Sequence, residues 1–204
     1  MKKNFFLIFL FLFFLSCSNL MTSSHRQSLK FRNKTIAILP FEVFTSVKHL
    51  PQGVSFSMLD SIEKKKGYVM QRDLYRYLLR ESAQLKRRVK FQDVNITNLI
   101  LKKQGIKNED VFKMPEQELA QILDVDIVIA CNLYQYKKRL NRNEKNFKNL
   151  EGVNNKISTV LYVYERETGR LEWKYDNSQS GFPSSYAADA IKGLLRKAAR
   201  EFPF

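Results

Sequence analysis

Soft nucleophiles and metal ligands are scarce in this chain of 204 residues, which holds two cysteines and two histidines. A cysteine nucleophile needs a nearby base, and a zinc site needs three or four convergent ligands. His25 and His49 fall in polar stretches expected to be tether and loop. Cys131 sits in the apolar run Ile127-Val128-Ile129-Ala130-Cys131, where a thiol behaves as a small buried hydrophobe. The glycines, Gly53, Gly67, Gly105, Gly152, Gly169, Gly181 and Gly193, lie singly, so neither a P-loop nor a dinucleotide cradle is present, and there is no GxSxG. Glu116 and Glu118 point to opposite sides of a helix start and complement its positive end, while Asp124 and Asp126 flank a turn. No catalytic constellation emerges. The expectation is a non-enzymatic protein with no cofactor and no metal.

Cys17 belongs to a different chemistry. Lys2 and Lys3 precede an unbroken apolar run from Phe5 to Leu15, followed by Ser16-Cys17-Ser18. Eleven apolar residues at ~1.5 Å each reach about 16 Å as a helix, roughly half of what a spanning segment needs. The run therefore reads as a secretion signal. Leu15-Ser16-Cys17 resembles the bacterial lipobox, with Phe14 where that motif usually has leucine. The resemblance implies a diacylglycerol on the Cys17 thiol, cleavage after residue 16, and acylation of the new amine. Two or three acyl chains hold a protein on a membrane where one would not. Ser18 lacks the aspartate that marks inner-membrane retention in some bacteria, so the expected address is the outer membrane, facing the periplasm. With Cys17 so used, Cys131 has no partner for an intrachain disulfide.

Loss of Lys2 and Lys3 with the signal takes the net charge from +15 to +13. An exported chain seldom meets nucleic acid, so none is expected as a partner. The basic balance points to anionic headgroups or wall polymers, or simply to solubility. Its densest stretch holds Lys137, Lys138, Arg139, Arg142, Lys145 and Lys148, a surface for an anionic partner or a solvated loop.

The elements that must position these residues follow from periodicity. Residues 17–33 are polar and aperiodic, a lipidated tether. A domain over 34–204 opens on Lys34–Phe41, a buried central strand stopped by Pro40, with 43–52 as loop. Val54–Ile62 has helical spacing and ends at Lys64-Lys65-Lys66-Gly67. Tyr68-Val69-Met70 reads as a short strand, and a second helix opens at Gln71 or Asp73. Thr97–Gly105 and Pro115–Leu123 are helices. Strands are expected over Asp126–Tyr136, Ile157–Tyr164 and Leu171–Tyr175, the last two joined by a Thr168-Gly169 turn. Ser184–Phe202 is an amphipathic helix. Phe202 and Phe204 either pack back on the sheet or present an anchor. The nine tyrosines fall in or beside these elements, as core and interface residues do. The fold class is α/β, a single mixed-sheet sandwich.

Four segments together resemble the CsgG / TolB-N-terminal-like family of bacterial envelope lipoproteins. They are Ile36–Phe41, the unit from Val54 to Met70 with Arg72-Asp73-Leu74, the step Glu118–Ile129, and the hairpin Val163–Trp173. The family includes a curli secretion channel and an activator of peptidoglycan synthase. The resemblance implies an envelope lipoprotein that binds or assembles with protein partners, with homo-oligomers among the alternatives. A spanning barrel strand needs about ten residues of alternating character. Residues 137–155 are basic, and Leu140, Phe147 and Leu150 do not alternate, so the pore is not carried over. The other readings are a wall-modifying hydrolase with an unrecognised site and a subunit of an oligomeric secretion channel.

Overall fold

A computed structural model of the chain describes residues 31–46, 53–86, 88–136, 155–181 and 186–204. Asn33–Phe202 forms one compact unit.

The opening strand β1, Thr35–Ser46, runs past the proline expected to stop it. The register against its neighbour steps from Ile38↔Ile129 to Phe41↔Cys131, leaving Leu39 and Pro40 opposite Ala130. A bulge is where a sheet tolerates a residue without an N–H. Residues 43–46 are therefore strand, and not the loop their composition suggested.

Helix α1, Phe56–Gln84, is capped by Ser55, whose side chain accepts from the Met58 amide. It replaces two expected helices and the strand between them. Lys64 does not mark its end but pairs with Asp60 at 3.1 Å and Glu109 at 3.2 Å. Gly67 is buried and helical, and an added Cβ would overlap the backbone carbonyl oxygen of Phe41. That glycine lets the helix lie on the strand. Tyr68 and Val69 are exposed on the helix surface, and Met70 alone of that triplet is core.

After α1 comes β2, Lys90–Phe91, too short to leave a periodic signal. Helices α2 (Val94–Lys103), α3 (Asn108–Val111) and α4 (Glu116–Ile122) follow, with Glu116 and Glu118 in the first turn of α4. Strands β3 (Ile127–Tyr136), β4 (Lys156–Glu165) and β5 (Leu171–Ser180) are antiparallel in sequence order, and α5 (Ala187–Glu201) closes the chain. The sheet order is β2-β1-β3-β4-β5, with β1 parallel to both β2 and β3. This is the mixed α/β sheet expected, with its antiparallel run of three.

The two faces have separate cores. Ala37, Leu39 and Val128 pack under Leu101, Val111, Leu119 and Leu123 of the α2–α4 side. On the other face α1 and α5 pack together, burying Met70, Leu74, Leu194 and Leu195. Tyr175 lies beneath α5 with its hydroxyl 3.5 Å from the Leu194 carbonyl, and burial pushes the phenol up to about 12. Phe202 is packed, with Trp173 edge-on at 5.5 Å; Phe204 is buried too.

Register fixes what lies at each end of the sheet. Ser46, Tyr136, Lys156 and Ser180 form one row across four strands. Thr35, Ile127 and Glu165 stand at the opposite end. β1 of twelve residues separates the two ends by roughly 35 Å. Among the described residues no helix is long and apolar enough to cross a membrane.

Candidate functional site

The residues singled out from sequence lie outside the described residues: Cys17, and Lys137, Lys138, Arg139, Arg142, Lys145 and Lys148. The structure fixes only the ends between which the basic segment is strung, Tyr136 and Lys156, paired across β3 and β4. The chain enters β1 at the other end of the sheet.

What the structure adds is an aromatic surface. Helices α2–α4 cover only the first half of their face. Beyond them the same face presents Glu42, Phe44, Asn132, Tyr134, Tyr136 and Tyr162, brought level by the pairs Glu42↔Asn132, Phe44↔Tyr134 and Ala130↔Tyr162. Phe44 is 41% exposed and Tyr136 48%. The rings of Phe44 and Tyr134 stack at 5.0 Å and 7°. Tyr162 stacks on Tyr164 at 6.3 Å, and Lys174 stands over the Tyr162 ring at 5.6 Å. Asn132 donates to the Tyr134 hydroxyl at 3.2 Å. Tyrosine in such a setting offers a broad apolar body and a polar tip, the composition enriched at protein interfaces.

Where this face meets the helices it sinks into a cleft of about 270 Å³, whose polar lining is Glu42, Glu116, Asn132, Tyr162 and Tyr164. Burial raises the Glu42 carboxyl above its ordinary value. The Tyr164 phenol is raised too, first by burial, then by Glu116 and Tyr162. The cleft is thus acidic, suited to amide, hydroxyl or ammonium donors. Among the described residues neither Glu42 nor Glu116 is held by a hydrogen bond or an ion pair, whereas a catalytic pair is fixed by its neighbours. A second hollow of about 370 Å³ is bordered by Tyr68, Asn98, Lys102, Lys107 and Asn108.

Cys131 is buried, its sulfur 3.7 Å from the Ile129 carbonyl, and burial pushes its pKa well up. It stays a thiol, the packing role expected of it. Among the described residues no three His, Cys, Asp or Glu side chains converge as metal ligands would. Sequence reasoning missed the aromatic face. Its signal was alternation, Tyr134 with Tyr136 and Tyr162 with Tyr164. Glu42 and Phe44 lie past Pro40, where composition alone ends the strand.

No family model matches the chain, and no curated protein does. Several solved structures are similar to it. Lipoprotein GNA1162 from Neisseria meningitidis aligns with TM-score 0.43 and 11% identity, over 82% of this chain and 99% of that one. The PelC dodecamer from Paraburkholderia phytofirmans gives 0.45 and 9%, over 84% and 88%. The LpoB C-terminal domain from Salmonella enterica gives 0.39 and 7%, over 76% and 94%. Likenesses this distant carry no function across, and this chain's own residues must supply it.

Proposed function

We propose that this chain is a cell-envelope lipoprotein of the CsgG / TolB-N-terminal-like kind, anchored through lipid on Cys17, with an α/β domain that binds or assembles protein partners without catalysis. The observation that carries this is the order of the N-terminus: two lysines, eleven apolar residues, then Ser16-Cys17. A tether over 17–33 joins the lipid to the domain, on the outer membrane facing the periplasm. The basic residues Lys137, Lys138, Arg139, Arg142, Lys145 and Lys148 serve as a surface for an anionic partner. The half-covered tyrosine face supports the binding role, being open, aromatic and without a fixed catalytic group. Replacing Cys17 by serine tests the anchor. In a bacterial host, wild type takes up an alkyne-tagged fatty acid and fractionates with membranes. Cys17→Ser loses the label and leaves the membrane or stays uncleaved. Unchanged labelling and fractionation would sink the lipoprotein reading.

One observation favours a hydrolase instead, the two carboxylates Glu42 and Glu116 lining one cleft. Release of soluble fragments from isolated peptidoglycan by the full chain, lost in Glu116→Gln, would establish that reading.

A further inference from the structure

Strand β5 ends the sheet, and among the described residues no further strand pairs with its outer edge. Gly181 donates to the Asn155 carbonyl at 3.1 Å, and the pairs from Lys156↔Ser180 to Val163↔Trp173 continue without a slip. Antiparallel strands turn alternate residues toward the partner. Trp173, Tyr175, Asn177 and Gln179 therefore direct their backbone groups at β4. Lys174, Asp176 and Ser178 direct theirs outward, where no described group meets them. An open edge of this length is a template for another strand.

We propose that this edge pairs with β5 of a second copy of the chain, antiparallel and centred on Tyr175. Charge selects both the partner and the register. Lys174 and Asp176 share the aromatic face, both exposed, with their charged ends 3.5 Å apart. A two-fold axis through Tyr175 sets Lys174 of each copy opposite Asp176 of the other, as pairs that exchange both backbone hydrogen bonds. Moving the centre by one residue sets Lys174, or Asp176, against its own like charge. Opposite charges across a ladder attract and like charges repel. The contact is isologous and closes as a dimer. Helix α5 lies over both β4 and β5, so the two α5 helices run side by side at about 10 Å, an ordinary packing distance. The five-stranded sheets merge into one, and the tyrosine face becomes continuous across both copies. None of this depends on the lipid at Cys17.

Sedimentation velocity of the full chain in detergent tests the pairing. Wild type dimerises reversibly at high micromolar concentration. Lys174→Asp alone and Asp176→Lys alone each weaken self-association about tenfold, since two attractive pairs become repulsive. Mixing the two single variants restores a heterodimer, because each chain then carries the charge the other needs. The double variant Lys174→Asp/Asp176→Lys dimerises as wild type does. Circular dichroism of the variants matches wild type, both side chains being exposed. A wild-type monomer overturns the proposal and leaves the charges as devices that keep edges apart. A dimer indifferent to either single reversal overturns it also. So does a mixture of the two variants that stays monomeric.

Discussion

The two sides of this sheet treat their strand edges in opposite ways. β1 is covered. The Lys34 carbonyl just before it and the Ile36 carbonyl within it accept from Lys90 and Gln92 around the two-residue strand β2 at 3.1 and 2.8 Å. Beyond β2, helix α1 takes over: Gln71 donates to the Ile38 carbonyl at 2.7 Å, and the Thr45 amide donates to Glu63, also at 2.7 Å. Between these, Gly67 brings the helix backbone onto the Phe41 carbonyl. β5 is of similar length and has no such cover among the described residues. The difference lies in residues that close an edge from elsewhere in the chain, and not in the strands themselves. An edge left uncovered beside self-complementary charges is available to a partner.

The sharpest way to break the covered side is Gly67→Ala. Its new Cβ meets backbone, which cannot turn aside as a flexible side chain would. The helix must lift from β1, at a cost of about 3 kcal/mol, read as a lower urea midpoint. Gln71→Leu is next. It leaves the buried Ile38 carbonyl without its donor and removes both hydrogen bonds shared with Asn98, costing about 2 kcal/mol in the same assay. On the open side, Ser178→Pro removes only an outward N–H, so stability changes by less than about 1 kcal/mol. A loss as large as that of Gln71→Leu would show the β5 edge to be bonded within the monomer.

The smallest effect concerns pH at Glu42. Its folded pKa is raised by burial, so the folded state binds the proton more tightly than the unfolded chain does. Stability from this group is full below the unfolded value and falls as pH rises through the raised one. Glu42→Gln should flatten that decline in melting temperature between acid and neutral pH. An unchanged pH profile would place the carboxylate in open water.

Much of the architecture is legible where side-chain period and packing agree. β3, β4, their Thr168-Gly169 hairpin into β5, and α5 are all half-buried elements whose alternation states their class. The mistakes cluster where a residue acts on a distant backbone. Lys64 to Gly67 has the composition of a helix end, yet Gly67 is demanded by Phe41, twenty-six residues earlier. Pro40 has the composition of a strand end, yet a bulge absorbs it. β2 exists because β1 offers an edge, and two residues cannot announce that. The same limit hid the aromatic face, since Phe44, Tyr134 and Tyr162 become one surface only through register. The readings of Cys17 and of the basic residues from Lys137 to Lys148 rest on local sequence alone, and those residues lie outside the described ones.

Amide hydrogen exchange on the full chain, wild type against Lys174→Asp, tests the contrast between the edges most directly. In wild type at dimerising concentration the amides of Lys174 and Asp176 should exchange slowly. In the variant, the amides at positions 174 and 176 should exchange rapidly, while Thr45, held by Glu63, stays protected in both. Slow exchange at Asp176 in a monomeric variant would show that the edge is closed within one chain. Rapid exchange there in wild type would show that no second strand covers it.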